Sequence, residues 1–272
     1  MTTPPRAEQS VIQVGVFGGS GFYDFLDDPT EIPVSTPYGE PSSPVVVGEI
    51  GGVRVGFLPR HGMDHSLPPH KINYRANVWA MKSLGATDMI LPCAAGSLQR
   101  DVEPGHFVIC DQVVDRTTGR IDTFYDGPET THISFADPYD EEMRQTAIDS
   151  ARSLGITVHD SGTIVVIQGP RFSTRAESKW FASMGWEVIN MTQYPEVILV
   201  REMEMAALNI SLITDYDVGV EGMELEAVSH HAVLETFKAN NDKLRDLLFD
   251  LIPKLPLSPD RPALHALDGA RV

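Results

Sequence analysis

Apolar residues in this chain fall into short β-branched runs separated by stretches with helical spacing. Buried strands are predicted at residues 11–17, 45–50, 53–58, 89–93, 107–114, 164–167, 188–190 and 210–213, each too short for a helix and bounded by turn-forming residues. Gly51-Gly52 predicts a hairpin between the second and third. Helical spacing recurs in Ile72, Ala76, Trp79, Ala80 and Leu84, over residues 143–154 and over residues 175–184. Gly85, Gly155 and Gly185 follow these stretches, where a helix C-terminus favours positive φ. Further helices are predicted at residues 195–208 and 229–251. The alternation defines an α/β fold: a single domain with a mixed central sheet flanked by helices. That domain is expected over residues 11–253, between a disordered lead at 1–10 and a peripheral tail at 254–272 made irregular by Pro256, Pro259 and Pro262.

The segments that leave the strands carry the candidate chemistry. They are Gly18-Gly19-Ser20-Gly21, Arg60-His61-Gly62, Ala94-Ala95-Gly96-Ser97, Gly169-Pro170-Arg171-Phe172, Asn190-Met191-Thr192 and Thr214-Asp215-Tyr216-Asp217. Ligands of open α/β sheets bind beyond the carboxyl ends of the strands, so these exits are expected to converge on one site. The glycine run lacks the lysine of a phosphate-binding P-loop, and Asp24 stands where a dinucleotide fingerprint needs its third glycine. It reads either as a plain tight turn or as backbone N–H groups and the Ser20 hydroxyl crowding an anion. Arg60-His61 reads either as surface charge or as a fixed cation beside a partly cationic ring, a pair suited to one phosphate. His61, His65 and His70 are irregularly spaced around Pro68-Pro69, which argues against a metal site. Thr192 is either a helix cap or a site hydroxyl.

Asp215 and Asp217 alternate across Tyr216, so both carboxylates can point the same way. Two close carboxylates in a partly dry pocket do not both ionise cheaply; one pKa rises and leaves a neutral acid able to donate a proton. A solvated loop and a metal-binding aspartate pair are the rivals. The metal pair requires an early strand and further carboxylates with a lysine downstream, whereas this pair lies late in the chain.

Composition narrows the classes. With 38 acidic against 21 basic residues in 272, the formal charge is −17, and no basic cluster suits nucleic acid. No uncharged apolar stretch approaches the roughly 18 to 20 residues of a membrane span. Residues 1–10 lack the apolar core of a secretion signal. Cys93 and Cys110 have neither disulfide-framework nor metal-ligand spacing, so reduced thiols and a cytoplasmic location are expected.

At these same residues the sequence resembles the trimeric purine nucleoside phosphorylase family, and within it the 5′-methylthioadenosine phosphorylase branch. The likeness runs from about Val14 to Pro253 and includes Asn73-Tyr74-Arg75-Ala76-Asn77, Asp115-Arg116-Thr117, Phe124-Tyr125-Asp126-Gly127 and Arg175-Ala176-Glu177-Ser178 besides the strand exits. It implies phosphorolysis of the nucleoside to adenine and 5-methylthioribose 1-phosphate, with phosphate as co-substrate and no metal or organic cofactor. It implies phosphate contacts at Ser20, Arg60, His61, Cys93, Ala94, Thr192 and Thr214. It implies Asp215 and Asp217 at the purine N7 and 6-amino edge, and substrate contacts at His65, Phe172, Ile189, Asn190, Met191, His230 and Val233. His132 is implied to come from a neighbouring subunit of a homotrimer, or of a dimer of trimers. Two positions depart from the branch. Cys93 replaces a threonine and removes a hydroxyl donor, and His230 replaces a small apolar residue where hydroxyl-accepting relatives have histidine. Adenosine or another 5′-substituted adenine nucleoside is therefore an alternative substrate. Hydrolysis of the same nucleosides and catalytically silent nucleoside sensing are the rival functions.

Overall fold

The computed structural model describes residues 11–18, 26, 29–220, 222–223 and 228–271, with the backbone alone at residues 230–232, 234 and 239. Its strands are β1 (Val14–Gly18), β2 (Thr30–Ile32), β3 (Val45–Ile50), β4 (Val53–Pro59), β5 (Asp88–Ser97), β6 (Phe107–Val108), β7 (Gln112–Arg116), β8 (Val158–His159), β9 (Thr163–Ile167), β10 (Val188–Asn190) and β11 (Ala206–Tyr216). The helices are α1 (Tyr74–Ser83), α2 (Glu141–Ser153), α3 (Arg175–Ser183), α4 (Gln193–Glu202) and α5 (His230–Leu251). The strands form one mixed sheet in the order β2-β3-β4-β1-β5-β10-β9-β7, with β11 paired to β5 and β6, and β6 to β8.

Strand alternation sorts the core into layers. Met89, Leu91, Cys93 and Ala95 of β5 and Ala207 and Ile213 of β11 pack with Val78, Ala80 and Met81 of α1 and Val197, Leu199 and Val200 of α4. Ile90 and the even positions Leu208, Ile210 and Leu212 pack on the other face with Met143, Ala147 and Ala151 of α2 and Leu244, Leu247 and Leu251 of α5. Helix starts follow local chemistry: Asn73 and Asp140 accept from the backbone N–H groups of Ala76 and Met143. Thr174 and Glu177 form a reciprocal capping box. The three glycines expected after helices have φ of 105°, 69° and 78°.

The expected single strand over residues 107–114 is two strands, because its halves serve different neighbours. Phe107 and Val108 pair with β11 and β8, whereas Gln112–Arg116 pairs with β9. The helix expected over 195–208 stops at Glu202, and residues 206–208 open β11. An Ala- and Leu-rich run suits either state, and pairing with Asp88, Met89 and Ile90 of β5 decides for strand. β2 and β8, of three and two residues, escaped the pattern.

The proline-rich tail is more integral than expected. Arg261, 3% exposed, places Nη1 2.6 Å from Asp88 at the start of β5 and 3.8 Å from Asp140, the cap of α2. Leu255, Ala263 and Ala270 are buried as well. Among the described residues no helix is long and apolar enough to cross a membrane. Removing one partner of a buried ion pair typically costs about 3–5 kcal/mol. Arg261→Ala should lower the unfolding free energy by about that amount, read from the denaturant midpoint.

Candidate active site

The strand exits meet at a cavity of about 630 Å³. β1 contributes Gly18, the turn after β4 contributes Arg60 and His61, and β5 contributes Pro92 to Gly96. The segments after β9 and β10 add Phe172, Asn190, Met191 and Thr192, and the end of β11 adds Thr214, Asp215 and Asp217. Sheet topology makes the opening. One edge of β5 pairs with β1 at residues 88–90 and with β10 at residues 96 and 97, so β1 and β10 diverge around the stretch between.

At one end Arg60 is buried, and it does not stand alone. Its Nε and Nη2 donate to the two oxygens of Glu196 at 2.6 and 3.1 Å, and Nη1 donates to the Pro92 carbonyl at 2.8 Å. One N–H on each terminal nitrogen is left over. His61 is not the partly cationic partner expected. Its Nδ1 lies 2.8 Å from the Leu67 carbonyl, which only accepts, so Nδ1 carries the hydrogen and Nε2 is an acceptor. Burial, reinforced by Arg60 and His65, lowers its pKa to about 4. His65 stacks on it at 4.5 Å. His70 sits in the short 3-10 turn Pro69–Lys71 and does not line the cavity, so the three histidines do not converge.

Thr192 precedes α4 but makes no side-chain cap; its oxygen accepts from Asn190 Nδ2 at 3.5 Å and its hydrogen remains available. Cys93 turns its sulfur toward Ser211 Oγ at 3.5 Å and Asn209 Nδ2 at 3.6 Å, inside the core. Burial raises its pKa, so it is a thiol. Ser20 lies outside the described residues.

The opposite wall carries the carboxylates. The parallel register of β11 on β5 shifts between Ile213 and Asp215, which inserts Thr214 as an extra residue and sets Asp215 opposite Gly96. Such bulges commonly re-aim side chains beside active sites. Thr214 Oγ donates to Asp215 at 2.8 Å, and Ser173 Oγ donates to Asp217 at 2.5 Å. Burial, and then Asp217, push the Asp215 pKa up to about 6 against the Thr214 hydrogen bond. Gly96 keeps the floor open: a Cβ there would lie 3.1 Å from Ile189 Cγ2 and 3.2 Å from Asp215 Oδ1.

A third wall comes from α5. Val233, Phe237 and Asn241 recur every four residues along one face and line the cavity together with exposed Lys238. Only Val233 of these was anticipated. The His230 side chain lies outside the described residues. His132 is exposed, bonds through its backbone N–H to Ala270, and does not line this chain's cavity. Glu196 and Ser173 were also missed. An acid opening the apolar run Val197–Val200 was the available signal for Glu196, and the position after Phe172 was the signal for Ser173.

Room kept by Gly96, a raised Asp215 carboxyl and a buried Arg60 at one cavity, with the mixed sheet beneath them, define the class. A family profile described as the Phosphorylase superfamily matches residues 13–253, and the chain belongs to that family. Among its relatives, an S-methyl-5′-thioadenosine phosphorylase of Thermofilum pendens is 50% identical, covering 96% of this chain and 99% of the relative. A purine nucleoside phosphorylase of Streptomyces coelicolor is 49% identical over 94% and 95% of the two chains. Among solved structures, the Schistosoma mansoni methylthioadenosine phosphorylase in complex with adenine superposes with a TM-score of 0.89 at 36% identity, covering 96% of this chain and 99% of that one.

The Asp215 shift has a thermodynamic sign. Between about pH 4 and about pH 6 the folded chain holds a proton that the unfolded chain releases. The stability contributed by Asp215 is therefore full below about pH 4 and is lost as pH rises through about 6. Asp215→Asn should remove this pH dependence, and unfolding midpoints of both proteins across that range test it.

Proposed function

We propose that the protein transfers the 5-methylthioribosyl group of 5′-methylthioadenosine to inorganic phosphate, releasing adenine. The observation that carries this reading is the half-buried Asp215 carboxyl, whose pKa is raised to about 6, beside the floor at Gly96. Breaking the bond between C1′ and N9 sends its electron pair into the purine and leaves oxocarbenium character on the ribose. A proton from Asp215 to N7 neutralises the leaving base, and general acid help of this kind contributes about 10²–10⁴ in rate. Phosphate, held by the remaining Arg60 N–H groups and by the Thr192 hydroxyl, captures the anomeric carbon; the Thr214 hydroxyl, implied by the resemblance as a further phosphate contact, has its hydrogen engaged with Asp215. Holding the two reactants together is the protein's other large contribution.

Asp217 has one oxygen occupied by Ser173 and another left to accept from a 6-amino group. A 6-oxopurine would present an acceptor to an acceptor, so adenine is the preferred base. Relatives named for methylthioadenosine and a neighbour holding adenine support the choice. The purine nucleoside phosphorylase relative, His230, and the polar Lys238 and Asn241 along α5 support adenosine as a second substrate. The proposal includes a cytoplasmic homotrimer, alone or paired into a dimer of trimers, that uses no cofactor. His132, exposed and not among the residues that line its own cavity, is suited to close a neighbour's.

Adenine release should depend on phosphate for 5′-methylthioadenosine and adenosine, and inosine should be the poorest substrate. Release that continues without phosphate would establish a hydrolase instead. Asp215→Asn should lower kcat by about 10²–10⁴.

A further inference from the structure

Arg60 reads as the cation of the phosphate end, yet its charge is already matched. Glu196 lies four residues beyond Thr192, so the start of α4 brings a cavity hydroxyl and a counter-ion to the same place. The pair is sealed, with side-chain exposures of 5% and 1%, and the guanidinium meets both carboxylate oxygens. Glu196 also faces Arg120, but that guanidinium does not line the cavity and donates to the carbonyls of Tyr194 and Gln168 at 2.5 and 2.8 Å. His61 is held neutral by its surroundings. The anion end therefore offers directed hydrogen bonds with little unbalanced charge.

That balance has a kinetic use in the phosphorylase reading, on which this inference rests. A bare buried arginine would grip a doubly charged phosphate hard, and it would grip the sugar phosphate product equally hard. Binding that stabilises reactant and product alike does not speed the bond-breaking step, and it slows departure. We propose that Glu196 is a positioning residue that orients the Arg60 fork and cancels part of its charge, so that phosphate binds in register and the sugar phosphate can leave.

The two roles of a buried carboxylate separate in experiment. If Glu196 were only a structural brace, Glu196→Gln would weaken phosphate binding along with the fold. With charge balance, Glu196→Gln loses stability in the absence of phosphate but binds inorganic phosphate about tenfold or more tightly, because a unit charge at this range in a protein is worth at least that factor. Calorimetric titration with phosphate alone reads this directly, and kcat falls while the KM for phosphate falls with it. Glu196→Asp, which keeps the charge, returns phosphate affinity to within about threefold of the parent while stability stays reduced. Unchanged or weaker phosphate binding by Glu196→Gln overturns the proposal.

A chain that fails to fold with an unmatched arginine is covered by a second comparison. Arg60→Gln leaves the Glu196 charge facing the anion, and adding Glu196→Gln replaces the ion pair by two amides able to bond each other. The double variant should bind phosphate about tenfold more tightly than Arg60→Gln alone; equal affinity overturns the proposal. A parent protein that binds no phosphate at all would instead count against the phosphorylase reading.

Discussion

The architecture turns on one constraint: a single edge of β5 is shared by two strands that arrive from opposite ends. β1 runs parallel to its first residues and β10 antiparallel to its last, so the backbone between them must find partners elsewhere. Side chains supply them. Arg60 donates to the Pro92 carbonyl, and Gln193 and Asn209 both donate to that of Leu91. The cavity and its supporting polar groups thus arise together from a gap in one ladder. On the opposite edge the long pairing with β11 is continuous except for the extra residue Thr214, and that irregularity brings Asp215 level with Gly96.

The electrostatics fit an acidic protein that handles an anion. A formal charge of −17 is spread over the chain, whereas the anion end is arranged atom by atom. Its cation is paired, its histidine is neutral, and its Thr192 hydroxyl accepts from Asn190 with a hydrogen to spare. At the other end the protein does the reverse, keeping a carboxyl partly protonated by burying it beside a second one. The two ends are matched to a reaction in which negative charge develops on the base while an anion attacks the sugar.

Elements with strong local signals were legible before any coordinates. The helical spacing of α1, α2 and α3 and the glycines after them are decided within a few turns of chain, and the structure follows them; the caps Asn73, Asp140 and Thr174 that open these helices were not read from the pattern. β11 was read too short because residues 206–208 were given to the preceding helix and Asn209 interrupts the apolar run; Asn209 is buried and bonded to the Leu91 carbonyl and to Ser211. The convergence of strand exits was legible because it follows from α/β topology rather than from any one residue. The state of those residues was not. His61 is neutral on account of burial and the orientation fixed by a carbonyl six residues away, and the Arg60 charge is answered from 136 residues downstream. Pattern reports which side chains can meet, and only the fold reports which atoms of each are already spoken for.

α5 divides its labour along its length. Leu244, Leu247, Leu248 and Leu251 anchor its C-terminal half in the core, while Val233, Phe237, Lys238 and Asn241 of its N-terminal half form a cavity wall. Sites that share no partners accumulate change nearly independently. Phe237 packs against the same core as those leucines, so its replacement draws on the fold; drift at Val233, Lys238 and Asn241 can explore new ligand shapes with less disturbance of that packing, which makes this stretch of α5 a place where the architecture can diverge in substrate while preserving the same sheet and the same acid.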